Sequence, residues 1–413
     1  MKRKNKNNMI KIMQIRSFCM IVEQGSASKA SHNLFRTQSA ITRSIRDLEH
    51  TLATPLFERH TGGMLLTDIG KSILPRAQRA IAELKGIPRL LGRLKQRDSE
   101  RREEAEPIWL FNVRRLQIFL ALYRLHHTQS VAKELDITQP AVSAALKVLE
   151  KGAGMALFQR TPKGMMPTPA GREIAPGISR ALNELRHIPE DIAARQGALI
   201  GAIHVGALPL SRARLLPQAI IRLVSRHPGI KVVTYESMFA TLITELRAGD
   251  IDFIIGALRK EETVPEIHNE VLFEEELILL ARPRHPLAGR ALKKSDLHGI
   301  QWVLPRDHAP SRYLLEHAFH CMGIAPPQPV VESGDPAVVR ALLLGSDMVA
   351  AVSSHQLDYE VSEGILTPLR ISLADTRRKI GLTFRQGVLH SPAADALIRC
   401  IREEIHGNRT TMK

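Results

Sequence analysis

The residues best placed to do chemistry are Arg43 and Arg46, in the stretch Gln38–Glu49 (QSAITRSIRDLE). A guanidinium is a planar fork of donors that matches the acceptor pair on the major-groove edge of guanine, so the chemistry on offer is base recognition. Around them stand Arg36, Thr37, Gln38, Ser39, Ala40 and Thr42, small or polar groups that let a helix approach DNA closely. A second stretch, Gln139–Glu150 (QPAVSAALKVLE), offers Thr138, Gln139, Pro140, Ser143 and Lys147, with Ala144 in the place of Arg43. In both, apolar residues recur at helical spacing: Ile41, Ile45, Leu48 and Leu52 in one, Val142, Leu146 and Leu149 in the other. Thr37 and Thr138 precede them and can cap a helix start. Both stretches read as recognition helices.

The neighbouring sequence supplies what must position them. A first amphipathic helix over Ile12–Val22 ends at Gly25, Ser26–Leu34 gives a second, and Phe35-Arg36-Thr37 a tight turn, which is helix-turn-helix order. Leu56-Phe57-Glu58-Arg59, a Gly62-Gly63 turn and Leu65-Leu66-Thr67 read as a two-stranded wing. Arg59 and His60 would flank the minor groove or a phosphate, although Arg59 could instead pair with a surface acid; Arg160 and Lys163 fill that place in the second stretch. A long helix then carries Ile73, Ala77, Ala80, Leu84, Ile87 and Leu91, and Ile174, Ile178, Ala181, Leu185, Ile188 and Ile192 repeat its spacing. A lone helix cannot bury such a seam, so each needs a partner. Pro88 and Pro189 should kink or end these helices.

The two stretches are copies. At a constant offset of 101 residues, Phe18 matches Phe119, Leu34 matches Leu135, and Glu49 matches Glu150. Phe57/Phe158, Arg59/Arg160, Thr67/Thr168, Gly70/Gly171, Glu83/Glu184 and Pro88/Pro189 keep the same register, the mark of an internal duplication. Charge divides the chain likewise. Through Gln196 there are 33 Lys and Arg against 18 Asp and Glu; beyond it the balance is 25 against 24. A strongly basic half fits nucleic acid first and an anionic membrane surface second. The tail before Ile10 is basic and could add phosphate contacts or simply be solvated. Arg93–Glu106 is densely charged and reads as a linker.

Cys19, Cys321 and Cys400 lie far apart with no metal-ligand spacing, so inert thiols in a reducing cytosol are expected, with a Cys321–Cys400 switch as the alternative. His317 and His320 could hold a metal only with a third ligand, and none lies nearby in sequence. Neither a metal nor a cofactor is expected. Lys11, Gln14, Arg16 and Glu23 interrupt anything resembling a signal peptide, and no run could span a bilayer, so a cytoplasmic protein is expected.

Past Gly197 the periodicity becomes that of strands alternating with helices: Ile200–Val205, Leu215–Val224, Lys231–Tyr235, Thr241–Arg247 and Asp252–Ile255, as in a parallel α/β sheet. Two strand-like runs abut over Val271–Ala281. The pattern resumes with Trp302–Leu304, Arg312–Met322, Val330–Val331, Ala337–Leu344 and Met348–Val352, and Ile380–Phe384 with Ala393–Ile405 completes the first unit. Two lobes joined by two crossings leave a cleft.

These pieces resemble the LysR-type transcriptional regulators. The resemblance rests on Gln38-Ser39-Ala40-Ile41-Thr42, Leu56-Phe57-Glu58-Arg59 and Thr67-Asp68-Ile69-Gly70 with their second copies, and on IHVGAL, RHPGIKVVTYE, ELRAGDIDFIIGAL and PRHPLA in the second half. It implies a multidomain chain: two all-α winged helix-turn-helix modules, then a two-lobed α/β effector domain like a type 2 periplasmic binding protein. The expected divisions are a first module over 10–67, its linker helix over 68–92, a charged linker over 93–110, a second module over 111–168 and its linker helix over 169–196. The effector domain would take 198–413, lobe I being 198–273 plus 375–413 and lobe II 274–374. The family ordinarily carries one DNA-binding module per chain, so the tandem is a departure.

The resemblance further implies double-stranded DNA as partner, a small-molecule effector, RNA polymerase if the protein activates, and homo-oligomers formed through effector domains. It points to Pro209, Leu210, Ser211, Ser237, Met238, Pro305, Arg306 and Ser353, at strand ends, as effector-binding residues. Ser211 and its neighbouring amides could face a carboxylate or hydroxyl. An enzyme, or a small-molecule-binding protein whose basic modules serve oligomerisation, is the competing reading. No Gly-rich phosphate loop, GxSxG or HExxH motif supports an enzyme.

Overall fold

The computed structural model describes residues 9–60, 63–94, 106–260, 264–307 and 309–411. The basic tail and most of the linker Arg93–Glu106 lie outside the described residues. The chain forms two compact units, Met1–Gly201 with Arg247–Asp250 and Leu389–Ala393, and Ala202–Leu246 with Ile251–Val388 and Ala394–Lys413.

In the first unit one element order occurs twice. α1 (Ile12–Gln24), α2 (Ala27–Asn33), α3 (Gln38–Leu52), β1 (Phe57–His60), β2 (Gly63–Leu66) and α4 (Asp68–Leu94) are followed by α5 (Val113–Leu125), α6 (Thr128–Glu134), α7 (Gln139–Ala153), β3 (Phe158–Thr161), β4 (Gly164–Pro167) and α8 (Pro169–Arg195). Gly25 ends α1 in the left-handed region, at φ 72°, where a side chain would be strained. Ser26 starts α2 by accepting from Lys29 N–H. Thr37 caps α3 by accepting from Ala40 N–H, but Thr138 makes no side-chain cap on α7. The expected cap is thus present once; Pro140, in the first turn of α7, is pre-set in φ and needs no N–H partner.

The matched residues of the repeat do matched work. Glu49 Oε1 accepts from Leu56 and Phe57 N–H at 2.8 and 3.2 Å, and Glu150 Oε1 from Leu157 and Phe158 N–H at 2.9 and 3.3 Å, tying each recognition helix to its wing. Phe18 meets Phe57 at 5.5 Å between ring centroids and Phe119 meets Phe158 at 5.3 Å. A Cβ on Gly70 would stand 2.4 Å from Leu56 O, and one on Gly171 2.2 Å from Leu157 O, so the T-x-x-G spacing lets the long helix touch the strand entering the wing.

α4 and α8 answer the need for a partner by packing on each other. Ile73, Ala77, Ala80, Leu84 and Ile87 from one, and Ile174, Ile178, Ala181, Leu185 and Ile188 from the other, are buried in a single core shared by both modules. The helices run antiparallel. Arg76 donates to Glu184 at 3.0 Å and pairs with Asp191, whereas Arg180, further back along α8, pairs at 2.7 and 2.8 Å with Glu83, further along α4. Arg79 to Glu184, at 4.0 Å, is the same pair with the helices exchanged, so the ion pairs obey an approximate two-fold relation. Of the two outcomes expected at Pro88 and Pro189, a kink or an end, the end does not occur: α4 runs through Pro75 and Pro88, α8 through Pro176 and Pro189. A proline in a helix interior costs about 3 kcal/mol, which the continuous buried seam offsets.

The second unit has two sheets. The first is ordered β6-β5-β7-β14-β8 and the second β11-β10-β12-β9-β13. β5 (Gly201–Ala207), α9 (Pro209–Arg212), α10 (Leu215–Arg226), β6 (Ile230–Tyr235), α11 (Phe239–Ala248), β7 (Phe253–Ala257) and β8 (Ile267–Glu275) build the first. β9 (Leu277–Ala281), β10 (Trp302–Leu304), α12 (Pro310–Cys321), β11 (Pro329–Glu332), α13 (Pro336–Gly345), β12 (Val349–Ser353), α14 (Asp358–Ser362) and β13 (Thr367–Pro368) build the second, before β14 (Arg378–Arg385) and α15 (Pro392–Thr411) return to the first. Neither sheet is purely parallel, as the strand-helix alternation implied. β14 runs antiparallel to β7 and β8, and β9 antiparallel to β12 and β13, because strands that cross between sheets arrive from the opposite direction.

Candidate nucleic-acid interface and effector cleft

Burial separates the two faces of each recognition helix. In α3, Ile41, Ile45 and Leu48 are buried and Leu52 half-buried, while Arg36, Thr37, Gln38, Ser39, Arg43 and Arg46 are exposed and Ala40 and Thr42 half-buried. Among the described residues Arg43 and Arg46 make no ion pair, and both lie exposed on one face of the helix. In α7, Val142, Leu146 and Leu149 are buried, Thr138, Gln139, Pro140 and Lys147 are exposed, and Ser143 is half-buried. Gln139 Nε2 is engaged with Thr128 Oγ1 at 3.1 Å. Arg160 and Lys163 are exposed on and beside β3. Arg59 and His60 lie on β1, paired in register with Met64 and Gly63; their side chains lie outside the described set.

The turns differ as well. Phe35, before α3, is 94% exposed at φ 50°, and the matching Asp136 before α7 takes φ 51°. Asp tolerates the left-handed region better than an aromatic residue does. An exposed, strained Phe beside the reading helix is a feature the sequence reading passed over as a plain turn.

In the second unit a cleft of about 880 Å³ opens between the two sheets. Seven of the expected residues, Pro209, Leu210, Ser237, Met238, Pro305, Arg306 and Ser353, line it. Ser211 does not. It is fully buried, and its hydroxyl donates to Leu208 O at 2.9 Å and Ile255 O at 3.2 Å, spending its polarity on the backbone.

Beyond the expected Arg306, sequence reasoning missed three arginines. Arg212, Arg259 and Arg378 also line the cleft. Arg212 Nε is buried with no partner among the described residues. Arg259 lies 4.9 Å from the Phe239 ring centroid and donates to Ala257 O. Burial first, then the charge of Arg378, pulls the Arg259 pKa down, a strain that an anion would relieve. Arg259 follows β7 as directly as Ser237 follows β6, so the strand-end rule applied to every strand would have found it.

Arg378 is committed elsewhere. Its Nε donates to Glu275 Oε1 at 2.7 Å, and Ser353 Oγ donates to the same carboxylate. Burial raises the Glu275 pKa, but His355, Arg378 and Ser353 together outweigh it and leave the carboxyl below its ordinary value. Glu275 ends β8 and Arg378 begins β14, so this ion pair joins the two chain crossings between the sheets.

Comparison with known proteins gives this geometry a family. The model described as "LysR substrate binding domain" matches residues 196–405, and "Bacterial regulatory helix-turn-helix protein, lysR family" matches 12–71 and again 113–172. The chain belongs to the LysR family: it is a DNA-binding transcriptional regulator with an effector-binding domain. It is 51% identical over 394 residues to the HTH-type transcriptional regulator GalR of Pseudomonas putida, covering 95% of this chain and 97% of that protein. The regulator PcaQ of Agrobacterium fabrum is 28% identical, with 72% of this chain and 97% of that protein covered. Among solved structures, CbnR complexed with its target DNA aligns at TM-score 0.52 and 22% identity, over 71% of this chain and 99% of that one. A full-length OxyR variant from Pseudomonas aeruginosa aligns at TM-score 0.56 and 22% identity, over 70% and 97%. GalR and PcaQ are both named as HTH-type transcriptional regulators. No helix among the described residues is long and apolar enough to cross a membrane.

Proposed function

We propose that this regulator, at work in the cytoplasm, reads an asymmetric operator with two winged modules that arose by duplication and are clasped together within one chain. The observation that carries this is the antiparallel packing of α4 on α8. A linker of this length keeps the second module at about millimolar local concentration, so pairing within a chain should outcompete pairing between chains. The comparisons support the same reading, since the helix-turn-helix model matches twice and the GalR relative spans 95% of the chain where PcaQ spans 72%. α3, with Arg36, Thr37, Gln38, Ser39, Ala40, Thr42, Arg43 and Arg46, makes the specific contacts; α7 and its wing, with Ser143, Lys147, Arg160 and Lys163, add weaker ones. Higher assembly then runs through the effector domains, and activation would add RNA polymerase as a partner. Cysteines placed at Leu84 and Leu185 test the clasp: crosslinks within single chains are expected, and links found only between chains would refute it. Footprinting of the purified chain should reveal an operator without good two-fold symmetry.

The effector is a small anion, such as a carboxylate, rather than a neutral sugar. Among the described residues Arg212 and Arg259 line the cleft with no carboxylate partner, and Pro209, Leu210, Met238 and Pro305 supply apolar wall. A ligand that binds only the folded chain raises its unfolding midpoint. In a thermal-shift screen carboxylates should stabilise the protein, and Arg259→Ala should abolish that shift; an equal shift in the variant would remove Arg259 from the site.

A further inference from the structure

A second site lies in the second unit, on residues that do not line the cleft. His317 and Cys321 stand one turn apart on one face of α12, Cys321 being its last residue, and Asp375 faces them from the turn between β13 and β14. Their donor atoms all lie within 4.8 Å of one another. With ordinary zinc bond lengths, sulfur and nitrogen ligands of one tetrahedral ion stand about 3.6 Å apart. Cys321 Sγ and His317 Nε2 are 3.6 Å apart.

The geometry points to a transition-metal site of the zinc class, formed by His317 Nε2, Cys321 Sγ and an Asp375 carboxylate oxygen. The donor set favours this class: thiolate and imidazole suit zinc, whereas magnesium and calcium take oxygen ligands. Charge agrees as well. A divalent ion with one thiolate, one carboxylate and a neutral imidazole makes a neutral centre, and it sits at a helix C-terminus, whose partial negative charge favours a cation. Binding breaks the Cys321 S–H bond and passes that proton to solvent as the metal–sulfur bond forms. All three residues are exposed, so the ion can enter, and water would complete the coordination.

The site is pre-organised by the core beneath it. Leu315, Ala318 and Phe319 of α12 share one buried cluster with Leu369 and Leu373, which lead into the turn. Thr376, next to Asp375, is buried, donates to Leu373 O and accepts from Leu277 N–H, both at 3.3 Å. Asp375 itself takes φ 56°, a left-handed conformation uncommon for a residue with a side chain. A bound ion would therefore fasten α12 to the segment that enters β14, one of the two crossings between the sheets. Sequence spacing suggests His317 with His320 and offers no third ligand; the tertiary fold brings Cys321 and Asp375 to His317 instead.

Cobalt(II) provides the test, titrated into the full chain free of any histidine tag. A sulfur-to-cobalt charge-transfer band with the strong visible absorption of a tetrahedral centre is expected, and zinc should erase both. Cys321→Ser should abolish the band, while a Cys19→Ser/Cys400→Ser double variant keeps it. His317→Ala and Asp375→Ala should weaken cobalt binding at least about tenfold, the loss that removing even an outer-shell partner brings. The exposed positions make misfolding of these variants easy to separate by circular dichroism. A spectrum of six-coordinate oxygen ligation alone, or a band that survives in Cys321→Ser, would overturn the assignment.

Discussion

The two winged modules share their scaffold and differ in the residues on their outward faces. Glu49 and Glu150 hold their wings alike, Gly70 and Gly171 make the same close approach, and Phe18 and Phe119 pack on equivalent strands. On the outward face, however, α3 carries Arg43 and Arg46 where α7 carries Ala144 and Lys147, and Arg36 stands where α7 is preceded by Ile137. The packing residues of a duplicated module answer to the same core and stay matched. Its surface answers to its partner, so on the proposed reading the divergence there would set the two copies on different DNA.

Breaking the clasp between the modules should have the largest effect. Arg76 is almost fully buried; desolvation works against its charge, but Asp191 and Glu184 more than restore it and raise its pKa. Arg76→Ala leaves two carboxylates facing a buried gap and should cost about 3–5 kcal/mol in urea unfolding. The partly exposed Arg180, paired with Glu83, should cost far less on replacement by Ala. Equal losses would mean that the two ends of the seam are equivalent despite their different burial.

The reading faces come next. Arg43→Ala should weaken specific DNA binding by about 1–3 kcal/mol and relax the base preference at one position. Lys147→Ala should lower affinity for all sequences alike and reduce the salt dependence by about one counterion. If Arg43→Ala left the preference among sequences unchanged in a binding titration, α3 would not be the sharper reader.

The smallest expected difference lies at the helix starts. Thr37→Ala removes a cap that accepts from Ala40 N–H and should cost about 1 kcal/mol, whereas Thr138→Ala, which removes no such bond, should be near neutral. Comparable losses at the two positions would show that the asymmetry of the caps does not persist in solution.

Cysteine reactivity sharpens a further contrast. Burial pushes the Cys19 thiol up to about 12, and Cys400 is buried too, while Cys321 is exposed. Alkylation at neutral pH should modify Cys321 first, because only the thiolate reacts, Cys19 is half-buried with its thiol pushed up, and Cys400 is buried. Mass mapping that finds Cys19 modified as fast would contradict this.

The sequence by itself determined the modules, their helices and their repeat, because these follow from local periodicity: apolar positions every three or four residues, glycines at stops, a constant offset of 101. The family resemblance pointed to strand-end loops, and seven of the eight residues named from it line the cleft. Whatever depended on distant residues meeting was decided only by the tertiary structure. Local rules left Pro88 and Pro189 either to kink or to end their helices, and both helices run on through them along the shared seam. Ser211 looked free in sequence and proved to be spent on Ile255 O, 44 residues away. Arg76 reaches Asp191 and Cys321 faces Asp375 for the same reason: a chain records its neighbours along the backbone, and packing alone records its neighbours in space.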